Sequence, residues 1–323
     1  MESPILYIVI PCYNEQEVLP ITASMFKEQL SLLISKGKIS TDSKILFVND
    51  GSKDNTWNLI CDLSKADSCF LGVSQSRNRG HQNAVLAGLM EAKKHCDITI
   101  SVDCDGQDDI TAMEKMVDAY LDGCDIIYGV RAKRKTDTFF KRFTAETFYK
   151  LLNIMGVEVV YNHADYRLVS KRALEAFSQF EEINLFLRGM FPLVGFKSTV
   201  VYYDRHERIA GESHYPLSKM LALAIDGITS LSIKPIRLIT VLGIGISLLS
   251  TAGLIYTLIG WVFKLTVSSI LSIVSTIGLA CGVQLLGMGV IGEYIGKMYM
   301  EVKKRPRYII SEKTYNDGTG EDL

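Results

Sequence analysis

The N-terminal part of the chain alternates between short apolar runs and longer segments of helical period. The runs are rich in Val, Ile, Leu and Phe and occupy residues 6–10, 44–48, 70–74, 98–102 and 125–128. The intervening segments carry apolar residues at intervals of three and four and occupy residues 17–34, 57–64, 83–94 and 111–121. Strands separated by helices of this length form βαβ units. The pattern therefore predicts an α/β fold with a mostly parallel sheet and helices on both faces.

The most distinctive residues of the chain follow the predicted strands. They form five short polar segments, at residues 11–15 (PCYNE), 49–52 (NDGS), 77–80 (RNRG), 103–109 (DCDGQDD) and 129–131 (GVR). Ligands of parallel sheets bind beyond the carboxyl ends of the strands, so this chemistry falls along one edge of the predicted sheet. No GxGxxG follows the first strand and no GxxxxGK[ST] occurs, which leaves dinucleotide and P-loop sites without their main support.

Two carboxylates stand close together where the fourth predicted strand ends. Asp103 and Asp105 flank one residue, and side chains so close repel each other unless a cation neutralises them. Mg²⁺ and Mn²⁺ prefer oxygen ligands, and such a metal acts as a Lewis acid on a leaving diphosphate. The pair predicts a divalent-metal site, with Gln107 or Asp108 as a further ligand. The alternative is a solvated acidic turn that caps the next helix, a role for which Asp108 and Asp109 are better placed.

Several motifs together resemble those of family 2 glycosyltransferases with the GT-A fold. They are IPCYNE at 10–15, VNDGS at 48–52, RNRG at 77–80 and the Asp103-x-Asp105 pair. Two later motifs are ADYRL at 164–168 and RIAGESHY at 208–215. These narrow the resemblance to dolichyl-phosphate mannose synthases and, more closely, to bacterial bactoprenol glucosyl- and N-acetylglucosaminyltransferases.

The resemblance implies a Rossmann-like GT-A domain that moves glucose or N-acetylglucosamine from a UDP-sugar to undecaprenyl or another polyprenyl phosphate. The product would be a lipid-linked sugar donor for cell-envelope glycan modification. The residues implied to bind the nucleotide sugar are Pro11, Tyr13, Glu15, Asp50 and Asp103. Asp105 and Gln107 are implied to hold Mg²⁺ or Mn²⁺, and Asp165 to lie on the acceptor side. Asp103, Asp105 and Asp165 form the implied catalytic set.

The acceptor phosphate is implied to contact basic residues. Arg131 and Arg142 are the candidates for the lipid phosphate, while Arg205 and Arg208 with Ser213 would close over the donor diphosphate or the acceptor. A phosphate monoester with a second pKa of about 6 is largely dianionic at neutral pH and needs no general base. The enzyme must instead hold two anionic groups together. In-line attack would invert the anomeric carbon, and Asp165 is then better interpreted as an orienting residue than as a base.

Charged residues are absent from 238–263 and from 265–292, and Lys264 alone divides the two runs. Each run exceeds the roughly 20 residues with which a helix crosses a membrane. Basic residues flank the pair on both sides, which places both ends in the cytoplasm. The predicted organisation is a cytoplasmic catalytic domain (1–214), amphipathic interfacial helices (215–235), a two-helix transmembrane hairpin (236–295) and a solvated cytoplasmic tail (296–323). For the amphipathic segment, a helix packed on the catalytic domain is an equal alternative. Small-xxx-small spacing at 278–282 and 292–296 hints at a homo-oligomer in the cell membrane.

Composition and spacing limit the other possibilities. A net charge of −1 offers no long basic face for nucleic acid. The 7 cysteines form no CxxC pair, as is typical of a reducing compartment. Among the histidines, His81, His163, His206 and His214 have no distinctive spacing and are expected to be structural or solvent-facing. Three alternatives stay open: a GDP-mannose-dependent synthase, a processive polysaccharide synthase, although no QxxRW motif occurs, and a non-catalytic membrane scaffold.

Overall fold

The computed structural model describes residues 3–132, 163–205, 262 and 270–316. Within these ranges one sheet contains strands β1 (Leu6–Cys12), β2 (Lys44–Asn49), β3 (Phe70–Gln75), β4 (Ile98–Ser101), β5 (Ile126–Arg131), β6 (His163–Ser170), β7 (Ser198–Tyr203) and β8 (Ile310–Lys313). The helices described are α1 (Leu19–Ser35), α2 (Thr56–Ala66), α3 (His81–Ala92), α4 (Ala112–Leu121), α5 (Lys171–Phe177), α6 (Leu187–Leu193) and α7 (Ile270–Lys303).

The strand order is β7-β5-β6-β4-β1-β2-β3-β8. Strands β4, β1, β2 and β3 are parallel, so the predicted α/β sheet is confirmed for this half. The sequence pattern did not predict β6, which lies antiparallel between β4 and β5. Because β6 is antiparallel to both neighbours, β4 and β5 run in the same direction. Their carboxyl ends therefore share one edge of the sheet.

The two faces of the sheet are covered by different helices. All seven residues of β1 are buried, as expected for a central parallel strand. Ile8 packs with α1 and α4 on one face, whereas Val9 packs with α3 on the other, because successive side chains of a strand point to opposite faces. Helix α3 approaches closely at Gly88, where an added Cβ would lie 2.4 Å from Val9 and 2.6 Å from Val48. This close packing fixes where α3 begins, at the edge that carries the polar loops.

The C-terminal segment returns to the sheet. Helix α7 continues to Lys303, and β8 then pairs antiparallel with β3. The side chain of Trp57 donates a hydrogen bond to Glu312 at 2.9 Å, and Lys313 pairs with Glu91 at 2.6 Å. Residues 296–316 thus depart from the solvated tail predicted for 296–323, whose last positions, 317–323, lie outside the described residues. The physical reason is that β3 would otherwise present an unpaired edge, which β8 covers.

No helix within the described ranges reaches both the length and the mean hydropathy of a membrane-crossing segment. The first predicted span, 238–263, lies outside those ranges except for position 262, and the predicted interfacial segment, 215–235, lies wholly outside them. Helix α7 covers the second predicted span from position 270 onward.

Candidate active site

The loops after β1 and β2 are bonded to each other at the polar edge of the sheet. The backbone N–H of Asn14 donates to Ser52 Oγ at 3.0 Å, and the N–H of Lys53 donates to Asn14 Oδ1 at 2.9 Å. The N–H of Glu15 donates to Thr56 Oγ1 at 2.9 Å. These bonds fix the loop that carries Pro11, Tyr13 and Glu15. Within it Pro11 is buried, whereas the Tyr13 side chain is exposed and available to a ligand.

Asp50 holds the loop that precedes α3. Its two carboxylate oxygens accept the backbone N–H groups of Arg79 at 2.8 Å and Gly80 at 3.0 Å. Burial raises the pKa of the Asp50 carboxyl, and the two N–H groups oppose that shift. The neighbouring Gly51 has φ of 62°, and an added Cβ there would lie 2.4 Å from the Asn78 nitrogen. The nucleoside contact predicted for Asp50 thus stays a prediction, while its structural role is to position the start of α3.

His81, the first residue of α3, bridges two carboxylates. Its Nε2 lies 3.6 Å from Asp103 Oδ1 and 3.5 Å from Asp165 Oδ2. Burial alone would lower the pKa of His81, but the hydrogen bond with Asp165 and the charge of Asp103 raise it to about 9. The imidazole is therefore cationic at neutral pH. It joins the end of β4 to β6.

Asp165 is surrounded by positive charge. Arg188 Nε and Nη2 donate to its two oxygens at 3.2 and 3.0 Å, and Arg167 Nη2 donates at 2.9 Å. Arg167 is fully buried and lies over the Phe191 ring at 4.5 Å. Burial would raise the pKa of the Asp165 carboxyl, but Arg188 and His81 lower it well below its ordinary value. A carboxylate held ionised in this way is a poor proton acceptor.

The Asp103–Asp105 pair fits a divalent metal that the substrate helps to ligate. Burial raises the pKa of the Asp103 carboxyl to about 6; His81 opposes this shift and neighbouring carboxylates add to it. Asp105 Oδ1 accepts the Gln107 N–H at 3.1 Å, and the Gln107 amide oxygen accepts a bond from Arg205. Across the described ranges, no three His, Cys, Asp or Glu side chains cluster as a metal site. Asp103 and Asp105 therefore offer carboxylate oxygens to a metal, whose remaining ligands would come from a bound molecule or from water.

Asp108 does not act as the predicted capping residue. It is buried, accepts the Tyr203 hydroxyl at 2.7 Å and lies 3.7 Å from Arg131 Nη2. Burial raises the pKa of the Asp108 carboxyl, and Arg131 opposes the shift. Asp109 Oδ1 accepts the Thr111 N–H at 2.9 Å in the turn before α4, and the N-cap residue Thr111 makes no side-chain capping bond of its own. Asp108 instead ties the ends of β5 and β7 together, which the linear sequence could not show.

A cavity of about 300 Å³ opens beside this cluster. Its polar wall includes Arg79, His81, Asp165 and Arg188. Its apolar wall is formed by Ile183, Leu185 and Phe186. The cavity thus places cationic groups directly beside hydrocarbon.

Apart from Pro11, Tyr13, Glu15 and Asp50, described above, the predicted site residues fall into three groups. Asp103, Asp105 and Gln107 share one loop, and the His81 nitrogen that contacts Asp103 also contacts Asp165. Arg131 and Arg205 lie by Asp108 and Gln107 at the ends of β5 and β7. The remaining predicted residues, Arg142, Arg208 and Ser213, lie outside the described residues.

Sequence reasoning missed His81 and Arg188. The signal available for His81 was its position, directly after the RNRG motif and at the start of a predicted helix. Arg188 offered no comparable signal, since it follows a segment without a clear period.

Known proteins are similar to this chain over most of its length. A family model described as Glycosyl transferase family 2 matches residues 7–177. The uncharacterized glycosyltransferase YkoT of Bacillus subtilis (strain 168) is 49% identical over 315 residues, covering 98% of this chain and 94% of that protein. The bactoprenol glucosyl transferase of Shigella phage SfII is 38% identical, covering 94% of this chain and 97% of that protein. The prophage bactoprenol glucosyl transferase homolog of Escherichia coli (strain K12) is also 38% identical, with the same coverage of 94% and 97%.

Among solved structures, glucosyl-3-phosphoglycerate synthase from Mycobacterium tuberculosis superposes with a TM-score of 0.46 at 16% sequence identity. The match covers 71% of this chain and 78% of that one.

Proposed function

Because the chain belongs to glycosyl transferase family 2, we propose that it transfers glucose or N-acetylglucosamine from a UDP-sugar to a polyprenyl phosphate, with inversion. Relatives named bactoprenol glucosyl transferase, 38% identical over nearly the whole chain, support the lipid acceptor. The observation that carries the proposal is the cavity in which His81 and Arg188 adjoin Leu185 and Phe186. A phosphate attached to a hydrocarbon chain needs cationic side chains to bind the phosphate and apolar side chains to pack against the hydrocarbon.

The charges around the cavity favour an anionic acceptor. The charged side chains that line the cavity are the cations Arg79, His81 and Arg188 and the single carboxylate Asp165, so the lining carries a net positive charge. A phosphate dianion brought to this place gains charge-assisted hydrogen bonds from guanidinium and imidazolium groups. Asp165 orients those groups and need not take a proton, since the acceptor is already ionised.

On the donor side, Asp105 and Gln107 are the residues that would hold Mg²⁺ or Mn²⁺, with Asp103 beside them. The bound metal would supply charge stabilisation for the departing diphosphate. Arg205 contacts the Gln107 amide oxygen and so keeps that side chain oriented. Asp50 fixes the loop of Arg79 and Gly80. Both of these residues line the cavity.

The hydrocarbon tail of the acceptor requires a membrane. We place the protein on the cytoplasmic face of that membrane. The two uncharged runs and their flanking basic residues support this location. Helix α7 also exposes large apolar side chains, at Ile273, Ile277, Met288, Ile291 and Ile295. Contiguous apolar surface of this kind is typical of contact with lipid or with another protein.

Membranes from cells that overproduce the full chain test the proposal. They are incubated with radiolabelled UDP-glucose, UDP-N-acetylglucosamine or GDP-mannose, each with and without added undecaprenyl phosphate. We expect lipid-extractable label from one of the two UDP-sugars, dependent on the added acceptor and absent with membranes carrying Asp105→Ala. Label in a polymer would indicate a processive synthase. Labelled lipid from GDP-mannose alone would identify GDP-mannose, rather than a UDP-sugar, as the donor. No labelled product from any donor contradicts the proposal.

A further inference from the structure

The apolar wall of the cavity belongs to a segment that has no regular secondary structure of its own. Residues 178–186 connect α5 to α6, and they supply Ile183, Leu185 and Phe186 to the wall. Arg188 follows at the start of α6 and reaches Asp165 at 3.0 Å. Such a segment keeps one shape only if its backbone hydrogen-bonding groups find partners elsewhere.

Those partners come from Glu301, near the C-terminal end of α7. Its carboxylate accepts the backbone N–H of Ile183 at 2.9 Å, the N–H of Asn184 at 3.0 Å and the Asn184 amide at 2.6 Å. Hydrogen bonds to an ionised acceptor are stronger than bonds between neutral groups. One side chain of α7 therefore fixes the turn that begins the cavity wall.

The location of Glu301 within α7 indicates that its role lies in this contact. It stands in the last turn of the helix, which ends at Lys303. A negative charge there is unfavourable, because the C-terminal end of a helix carries partial negative charge. The three donated bonds from the 183–184 turn offset this cost.

The other end of the wall is fixed independently. The N–H of Leu187 donates to Gln82 Oε1 at 2.8 Å, and Gln82 follows His81 in α3. The wall thus spans from an anchor on α7 to an anchor on α3. Leu185 and Phe186 lie between the two anchors.

We propose that Glu301 is a positioning residue for the lipid acceptor. By holding the 183–184 turn, it sets the place of the apolar wall and of Arg188 beside Asp165. The ligand class, which rests on the proposed function, is an isoprenoid phosphate. Its first isoprene units would pack on this wall. The nucleotide motifs Asp50, Asp103 and Asp105 stand on other loops, so acceptor use should depend on Glu301 far more than donor binding does.

Kinetics with each substrate varied separately test this role in the full-length protein in detergent. Glu301→Ala should lower kcat/KM for undecaprenyl phosphate by about ten- to a hundredfold. KM for the UDP-sugar should stay within about twofold of the wild-type value. Glu301→Gln keeps one acceptor oxygen and should fall between the two. The matched control is Glu181→Ala, which should have the kinetic constants of wild type. Glu181 lies two positions before the 183–184 turn, pairs with Lys304 at 3.6 Å and is 80% exposed.

Hydrogen–deuterium exchange supplies a readout that does not depend on turnover. Amides 183 and 184 should be protected in wild type and lose protection in Glu301→Ala, while the amides of β1 and β2 remain protected. Equal exchange at 183 and 184 in both proteins overturns the proposal, as does an equal loss of donor and acceptor efficiency. If wild type labels no lipid at all, the proposed function fails, and the exchange result still decides whether Glu301 holds the wall.

Discussion

His81 Nε2 lies 3.5 Å from the Asp165 carboxylate, so a side chain at the start of α3 meets one from β6 across the candidate active site. The same imidazole reaches Asp103 at 3.6 Å. Because both carboxylates stabilise the protonated ring, this contact links the charge state of the site to the stability of the fold.

The pH dependence of stability should report the His81 contact. The folded-state pKa is raised to about 9 from an ordinary value of 6.5. The stabilisation is therefore complete below pH 6.5 and is lost as the pH rises through 9. With the side chain 37% exposed, solvent screening reduces it to roughly 1 kcal/mol. Thermal unfolding should show His81→Gln melting about 2–4 °C below wild type near pH 7, where Asp103 is ionised, with the difference vanishing above about pH 9. A constant difference across this range would contradict the assignment.

Removing the Asp105 carboxylate should abolish most of the transfer. Asp105→Ala deprives the donor diphosphate of a metal ligand, and losing one such electrostatic contact lowers kcat by about 10²–10³-fold. Initial rates at saturating UDP-sugar measure this effect. Asp109→Ala is the matched control, because Asp109 lies in the same loop but accepts the Thr111 N–H at 2.9 Å. Wild-type turnover that persists in excess EDTA would rule out metal dependence.

Arg131 tests the acceptor assignment implied by the family resemblance. Its guanidinium lies 3.7 Å from the buried Asp108, and its side chain is 23% exposed. Arg131→Lys removes the planar, bidentate geometry that suits phosphate. Losing a charge-assisted contact costs about 1.5–3 kcal/mol, which corresponds to roughly ten- to more than a hundredfold in kcat/KM for polyprenyl phosphate.

The control for Arg131 is another arginine–aspartate pair outside the site. Arg172 Nε donates to Asp125 at 3.2 Å, and its side chain is 68% exposed. Arg172→Lys should leave both kinetic constants near wild type, as exposed ion pairs contribute less than about 1 kcal/mol. If Arg131→Lys behaves like this control, Arg131 serves only to pair with Asp108.

Gly51 tests whether the loop before α3 must approach the loop after β2. Gly51→Ala combines a φ of 62° with a Cβ 2.4 Å from the Asn78 nitrogen. Gly37→Ala shares the positive φ, at 67°, but meets nothing within 4 Å. Gly37→Ala should cost about 1–2 kcal/mol of unfolding free energy and leave transfer intact.

Gly51→Ala should cost a further 1–3 kcal/mol or so, and it should weaken donor binding by displacing the partners of Asp50. Chemical denaturation measures the first effect and UDP titration calorimetry the second. Equal stability of the two alanine variants would show that the close approach at Gly51 is unimportant.

Local periodicity accounts for what the sequence predicted. Strands β1 to β4 and the helices between them each carry their own apolar period, so the parallel half of the sheet and its polar edge follow from short windows. The Asp103–Asp105 pair could be recognised for the same reason, because its two carboxylates lie within three consecutive positions of the sequence.

Contacts between distant segments account for what was missed. Strand β6 is placed by its pairing with β4 and β5, and no local pattern states which strand it will join. His81 becomes a cation only because Asp103 and Asp165 arrive from other strands. Asp108 resembled a capping residue beside Asp109, yet Tyr203 from β7 decides its role.

The pairing of β8 with β3 also has a consequence for how the chain folds. The N–H of Gly72 donates to Thr314, a partner 242 residues further along the chain. At a synthesis rate of about 5–20 residues per second, the edge of β3 waits roughly 10–50 s for that partner. During this interval the nascent sheet exposes a row of unsatisfied N–H and C=O groups, which is a template for intermolecular pairing. Slow translation of the intervening segment should therefore increase aggregation, whereas a β8 peptide supplied in trans should suppress it.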